Sequence, residues 1–365
     1  MFSQDYRPKA FDEFIGQGGT ISEMKSRSVD LNFPQVMIFE GASGTGKTSL
    51  AYLIAALLND PNPIQREENG IVYIDPNPDS PAFHDIYSEI FSRGDVKFYD
   101  ASSMSKGDVH EVERFISMNP MFDPHRVAII DEAQELSRAG KGATLRLLEK
   151  KRKSAYIILC TMNAQSLDEA VLSRGTRYTF SMIPPLKLAE GLYKALQRSE
   201  ADVPDIFISE GLFTLAENVN GSVRTGLQYL ERCIEGKFFT PEAIQEEFGF
   251  LSSETMLVIL KELLRDGSAK ALFETKLDPQ HFLFTALTYM GEAAHYVVTG
   301  ESTVDWKKKV TLEIKDLPHF REFYGILTEL LMMPYFHRGV FYQRIWEFTQ
   351  DNQKVVTRNP VSLVN

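Results

Sequence analysis

At 365 residues the chain exceeds what one ordinary hydrophobic core organises, so two or three domains are expected. Its 43% hydrophobic and 24% charged residues match a soluble globular protein, and apolar runs such as Leu50 to Leu58 are too short to span a membrane. The formal net charge of −11 argues against a protein coated in nucleic acid, although a local basic surface can still bind phosphates on an acidic chain. The opening MFSQDYRPKAF lacks the apolar core of a signal peptide, so a cytoplasmic location is expected. Cys160 and Cys233 stand in no metal-ligand spacing, which supports two buried thiols and neither a disulfide framework nor zinc.

In chain order, the first strong signal is VMIFEGASGTGKTSLAYLIAALLND. Val36 to Glu40 reads as a short buried strand and Thr48 to Leu58 as a buried helix, with a glycine-rich turn between them. That is the context a phosphate-binding loop requires. Glycines at 41, 44 and 46 let the backbone N–H groups curl inward, so Gly41, Ala42, Ser43, Gly44, Thr45, Gly46, Lys47, Thr48 and Ser49 are candidates to hold a nucleotide. Lys47 suits the β- and γ-phosphates, and the Thr48 hydroxyl suits Mg2+. Asn59 to Asp95 follows, rich in proline and asparagine, and is expected to form a local hairpin or loop of unassigned role.

HRVAIIDEAQELS places Asp131 and Glu132 at the end of an all-apolar strand, Val127 to Ile130. An isolated acidic pair can equally cap the next helix. After such a strand and beside a phosphate loop it reads as catalytic, with Asp131 holding Mg2+ through water and Glu132 polarising the attacking water. Ala155 to Asn163 is the next strand candidate. Its polar end offers Thr161 or Asn163, with Asn163 preferred, to sense the γ-phosphate, or else merely terminates the strand. The basic run Glu149 to Ser154 reads as a helix end. MIPP at Met182 to Pro185 ends the α/β part, Leu186 to Phe248 carries helical patterning, and a further helical region rich in Met and aromatic residues begins near Leu251. Such stripes ordinarily mean a helical core. No internal repeat and no low-complexity segment is visible.

Six segments in one order, YRPKAFDEFIGQ, the phosphate loop, YDASSMSKGDVHEVERF, VAIIDEAQELS, LDEAVLSRGTRYTF and NGSVRTGLQYLERCI, resemble the AAA+ ATPase subunits of sliding-clamp loaders. The likeness is greatest to the bacterial gamma/tau type, with phage loaders and replication factor C small subunits further off, and covers roughly the first two-thirds of the chain. The resemblance implies an α/β P-loop AAA+ domain over residues 1–182, a helical lid over 183–248 and an all-helical collar over 249–365. It implies ATP and Mg2+ as ligands, a sliding clamp and primer-template DNA as partners, and a pentamer of loader subunits. It implies that Tyr6, Arg7, Pro8 and Ile15 lie by the adenine, and that Arg224 reaches the γ-phosphate of its own subunit's ATP. Arg174 matches the trans-acting finger of the family's serine-arginine-cysteine motif, in which Gly175 replaces the cysteine. Ser103, Ser105, Lys106, Arg138 and Lys141 match positions along the DNA phosphates. Met118, Met121 and Phe122 match the clamp-facing helix end, and their composition fits a core equally well. The bacterial zinc module has no counterpart, since 59–95 contains no cysteine. A processive AAA+ DNA motor and a non-catalytic ATP-binding scaffold are the rival readings.

Overall fold

A computed structural model describes residues 6–104, 106–136, 154–251, 253–274, 279–299, 317–331 and 338–358. Ser105, Arg138, Lys141 and all but the last residue of the 149–154 run lie outside these residues. Helix α1 (Gly18–Ser28) leads to β1 (Val36–Gly41), a tight loop and α2 (Lys47–Leu58). Next come β2 (Ile64–Glu68), β3 (Ile71–Asp75), α3 (Pro81–Tyr87), β4 (Val96–Asp100), α4 (Lys106–Ser117), β5 (Arg126–Asp131) and β6 (Ala155–Thr161). A short helix α5 (Glu169–Leu172) and β7 (Thr176–Phe180) complete the α/β part. The described chain is helical thereafter: α6 (Pro185–Ser199), α7 (Leu212–Asn218), α8 (Val223–Gly236), α9 (Pro241–Phe248), α10 (Ser253–Lys261), α11 (Lys270–Glu274), α12 (Pro279–Thr299), α13 (Phe320–Leu331) and α14 (Arg338–Arg358).

Five strands form a parallel sheet in the order β4-β5-β6-β1-β7. The unbroken apolar runs of β1, β5 and β6 are explained by burial on both faces, since alternate side chains enter two separate cores. Met37, Phe39, Val127, Ile129, Tyr156 and Ile158 pack on one face with α2. Val36, Ile38, Ala128, Ile130, Ile157 and Leu159 pack on the other with Val112, Phe115 and Ile116 of α4. The register sets Glu40 beside Thr161, Gly41 beside Phe180 and Asp100 beside Asp131, so the polar strand ends gather along one edge. That edge is where open α/β sheets bind ligands. This is the P-loop α/β architecture that the sequence implied.

The 59–95 stretch forms the antiparallel hairpin β2-β3 followed by α3. Its turn, Asn69 and Gly70, takes positive φ at both residues (51° and 78°), the requirement that makes Asn-Gly the preferred two-residue hairpin loop. Asp60 accepts the N–H groups of both Asn62 and Asn77, pinning the two ends of the hairpin together. Ser80 caps α3 by accepting the Phe83 N–H at 3.2 Å.

The chain divides into two compact units, Met1–Asp202 with Val219–Glu235, and Val203–Asn218 with Gly236–Asn365. Helix α6 and nearly all of α8 therefore group with the sheet, while α7 and α9 group with the C-terminal helices. The divisions expected from the sequence lie at 182 and 248; in this partition Gly191 of α6 lies against Ile15 of the N-terminal arm. The second unit has its own core, in which Met256, Phe282, Met290, Phe323, Phe341 and Phe348 are fully buried or nearly so. Much of the Met and aromatic signal of this region is thus spent inside it, leaving Phe273 and Trp346 among the exposed large apolar side chains. Among the described residues no helix is long and apolar enough to cross a membrane.

Candidate active site

The loop between β1 and α2 is shaped by the requirements of its glycines. Gly44 sits at φ 76°, and a Cβ there would collide with the Ser222 hydroxyl, so the position needs glycine for conformation and for space. Opposite it, the Val223 N–H donates to the Gly44 carbonyl at 3.0 Å, which ties the start of α8 to the loop. Arg224, the next residue, is thereby carried to the rim of the same cleft.

The cleft measures about 600 Å³. Ser43 to Ser49, Asp131, Glu132 and Arg224 line it, with Tyr6, Arg7, Pro8 and Ile15 along another wall. Thr48 Oγ1 donates to Asp131 Oδ2 at 2.8 Å, although the two residues are 83 apart in sequence. Lys47 is 8% exposed, and its Nζ donates to the carbonyls of Gly41 and Ala42 at 2.8 Å each. Burial lowers the Lys47 pKa, with Cys160, Asp131 and Glu132 opposing the shift and Arg224 adding to it. Gly41 and Ala42 do not line the cleft; their carbonyls hold the lysine.

Glu132 occupies the left-handed region at φ 48°, and its N–H donates to Asp131 Oδ1 at 2.9 Å. Its carboxylate accepts from Gln134 Nε2, while Gln134 Oε1 accepts the Thr161 hydroxyl at 2.9 Å and the Met162 N–H at 3.1 Å. Gln134 therefore joins the acidic pair to the end of β6. Asn163 is outside the cleft lining: its side chain accepts the Gln165 N–H at 2.9 Å and caps the short Ala164–Ser166 turn.

Arg174 is also outside this cleft. It is exposed, on the loop between α5 and β7, and its Nη1 donates to the Ala170 carbonyl at 2.9 Å. The glycine that follows it has a steric cause, because a Cβ on Gly175 would lie 2.6 Å from Ile38 Cδ1 in the core beneath β1. A cysteine at this point would overlap a buried side chain. Elsewhere, Ser103 is exposed and hydrogen-bonded to the Asp100 carbonyl at 3.1 Å, and Lys106 begins α4. Met118, Met121 and Phe122 are 44%, 71% and 67% exposed, so they are surface and not core. The loop that carries the last two is held rigidly, since buried Asp95 accepts the N–H groups of Met121, Phe122 and Asp123.

Sequence reasoning missed the α6 wall of the cleft. Gly191, Lys194, Ala195 and Arg198 line it. Their i, i+3, i+4, i+7 spacing puts them on one stripe, and two cations on that stripe were the available signal. Arg198 is held by Glu13 at 3.0 Å, which joins α6 to the N-terminal arm.

In comparisons with known proteins, the profile of the family described as DNA polymerase III, delta subunit matches residues 16–184. Protein STICHEL-like 2 of Arabidopsis thaliana is 26% identical over 291 residues, 77% of this chain and 32% of that protein. DNA polymerase III subunit tau/gamma of Haemophilus influenzae is 25% identical over 278 residues, 75% of this chain and 38% of that protein. The chain thus spans about a third of the length of these relatives. Among solved structures, the Thermotoga maritima RuvB Holliday junction branch migration motor is 16% identical with a TM-score of 0.47, covering 78% of this chain and 85% of that one.

Proposed function

We infer that this chain, a P-loop AAA+ protein similar to clamp-loader subunits of the DNA polymerase III gamma/tau type, is an ATPase subunit of a sliding-clamp loader. The observation that carries the reading is the meeting of Lys47, Thr48, Asp131, Glu132 and Arg224 around one cleft at the carboxyl edge of a parallel sheet. The donor set fits Mg2+, because the Thr48 hydroxyl and an Asp131 carboxylate oxygen already converge within 2.8 Å and both are hard oxygen ligands. When bound, the ion neutralises charge that develops on the β- and γ-phosphate oxygens.

The chain's own residues would do the rest. Backbone N–H groups of the loop and the α2 N-terminus hold the phosphates, and Lys47 leaves the carbonyls of Gly41 and Ala42 to meet the β- and γ-oxygens. Tyr6, Arg7, Pro8 and Ile15 take the base. Glu132 orients the water that attacks the γ-phosphorus while the bond to ADP breaks, and Arg224 stabilises the charge on the departing phosphoryl group. Asn163 or Thr161 reports on the γ-phosphate from the end of β6. Arg174, outside its own chain's cleft, serves the ATP of a neighbouring subunit, where a planar, permanently charged guanidinium can bridge two phosphate oxygens. In this reading ATP orders a ring of subunits, five in the resembled assemblies, that opens the clamp. Primer-template DNA is followed along its phosphates by Ser103, Ser105, Lys106, Arg138 and Lys141, Met118, Met121 and Phe122 meet the clamp, and hydrolysis lets the closed clamp go.

ATP turnover by the purified protein, measured with primed DNA and a sliding clamp, tests the proposal. Stimulation by both together is expected; turnover that ignores the clamp and runs equally on unprimed duplex refutes it. Mixing Arg174→Ala with Lys47→Ala subunits tests the shared site: a trans finger restores part of the activity at interfaces where both residues are intact, and a finger acting within its own chain restores none.

A further inference from the structure

We propose that the hairpin and helix between α2 and β4 are a brace for the N-terminal arm that walls the cleft, with Asp75, Tyr87 and Glu89 as positioning residues for the base of the nucleotide. The proposal rests on the cleft being a nucleotide site. Three contacts along five residues of the arm carry it. Arg7 pairs with Glu89 at 2.9 Å. The Pro8 carbonyl accepts the Tyr87 hydroxyl at 2.6 Å. The Phe11 N–H donates to Asp75 Oδ1 at 2.9 Å, at a carboxylate that is 1% exposed.

The contacts are specific in chemistry as well as in place. A Pro8 peptide carbonyl can be held only by a donor, and the half-buried Tyr87 supplies one from a ring stacked on Phe83 at 4.0 Å and 9°. Arg7 lies with its guanidinium carbon 4.5 Å from the centre of the Tyr52 ring, so the arm is pressed between the brace and the helix that begins at the phosphate loop. Edge-on contacts of Tyr52 with Tyr87, Phe91 and Phe98 make that floor one aromatic block. Tyr6, Arg7 and Pro8 line the cleft together with Lys194 and Arg198. Holding residues 7, 8 and 11 therefore fixes one wall of the cleft through contacts that do not involve Lys47, Thr48, Asp131 or Glu132. The 59–95 segment thereby acquires the role that its sequence left unassigned.

The test uses Tyr87→Phe and Glu89→Gln, singly and together, in the full chain. Tyr87→Phe removes the hydrogen bond to the Pro8 carbonyl and Glu89→Gln removes the charge of the pair with Arg7, and both leave the stacking of the brace in place. Binding of ATP and of inorganic tripolyphosphate is measured by calorimetry, and KM and kcat for ATP by steady-state turnover. The double variant is expected to bind ATP at least three-fold more weakly and to raise KM, with kcat and tripolyphosphate affinity within two-fold of the parent. Unchanged ATP affinity overturns the proposal. So does an equal loss for ATP and tripolyphosphate, which would mean that the phosphate loop itself had been disturbed. A parent protein that binds ATP no better than tripolyphosphate would remove any base site for the brace to position, and a parent that binds neither would overturn the nucleotide reading itself.

Discussion

Asp75→Asn should change the pH dependence of stability in a direction that the structure sets. Burial raises the Asp75 pKa from 3.8 to about 6, against the Phe11 N–H and Arg66, both of which favour the charged form. The folded state therefore holds a proton that the unfolded chain has already released between about pH 4 and pH 6. Stability from this group is complete below the unfolded pKa and is lost as pH rises through the folded one. A shift of about two pKa units corresponds to about 3 kcal/mol. Asparagine keeps an oxygen for the Phe11 N–H and does not titrate, so the variant escapes this loss. Urea unfolding followed by far-UV circular dichroism from pH 4 to pH 7.5 gives the difference, variant minus parent, in which all other titrating groups cancel. That difference should rise by about 2–3 kcal/mol across the window and then level off. A constant offset from the substitution changes the height of the curve but not its slope, and the attraction to Arg66 is already contained in the shifted pKa. A flat or falling difference would refute the reasoning, because it would mean that Asp75 carries no extra proton in the native state.

The glycine requirements are equally testable. Gly175→Cys forces a side chain onto Ile38 Cδ1, 2.6 Å from the new Cβ, and should cost about 1–3 kcal/mol in urea unfolding; a cost under about 0.5 kcal/mol would mean that Ile38 gives way freely. Gly44→Ala must adopt φ 76° and displace Ser222, so it should destabilise by at least about 1 kcal/mol and weaken ATP binding by calorimetry; equal binding would separate the loop's shape from the ligand. Cys160 and Cys233 are both buried, and burial holds the Cys160 thiol well above its ordinary pKa. Neither should react with an aromatic disulfide reagent at pH 8 until urea unfolds the chain, and rapid reaction of native protein would contradict the packing.

Legibility in the sequence followed the range of the interaction. The β1 strand, its loop and α2 lie within 23 residues, and their pattern is local: an apolar run, glycines at set intervals, then a buried helix. The acidic pair was legible for the same reason, as the polar end of β5. The brace was visible only as a hairpin-forming stretch, because its meaning lies in contacts to residues 7, 8 and 11, between 64 and 82 positions away. Asn163 was legible as the polar end of β6, but that its side-chain oxygen accepts the Gln165 N–H and caps the next short turn is seen only in the structure. Gln134 gave no signal, since a glutamine after an acidic pair is as common on a surface, and only the neighbouring strand shows it joining Glu132 to Thr161.

By itself the sequence determined the phosphate loop, the two-faced parallel strands and the acidic strand end, all consequences of short-range pattern and of the period with which side chains alternate across a sheet. Only the tertiary structure shows that α6 and nearly all of α8 group with the sheet, that Arg224 is brought to the loop by the Val223 to Gly44 hydrogen bond, and that a Cβ on Gly175 would meet Ile38. It also decided that Met121 and Phe122 are not core, since their side chains are exposed on a loop whose N–H groups Asp95 accepts. The physical reason is the same in each case: a hydrophobic period states that a residue is to be buried or exposed on its own element, but only packing between elements states against what.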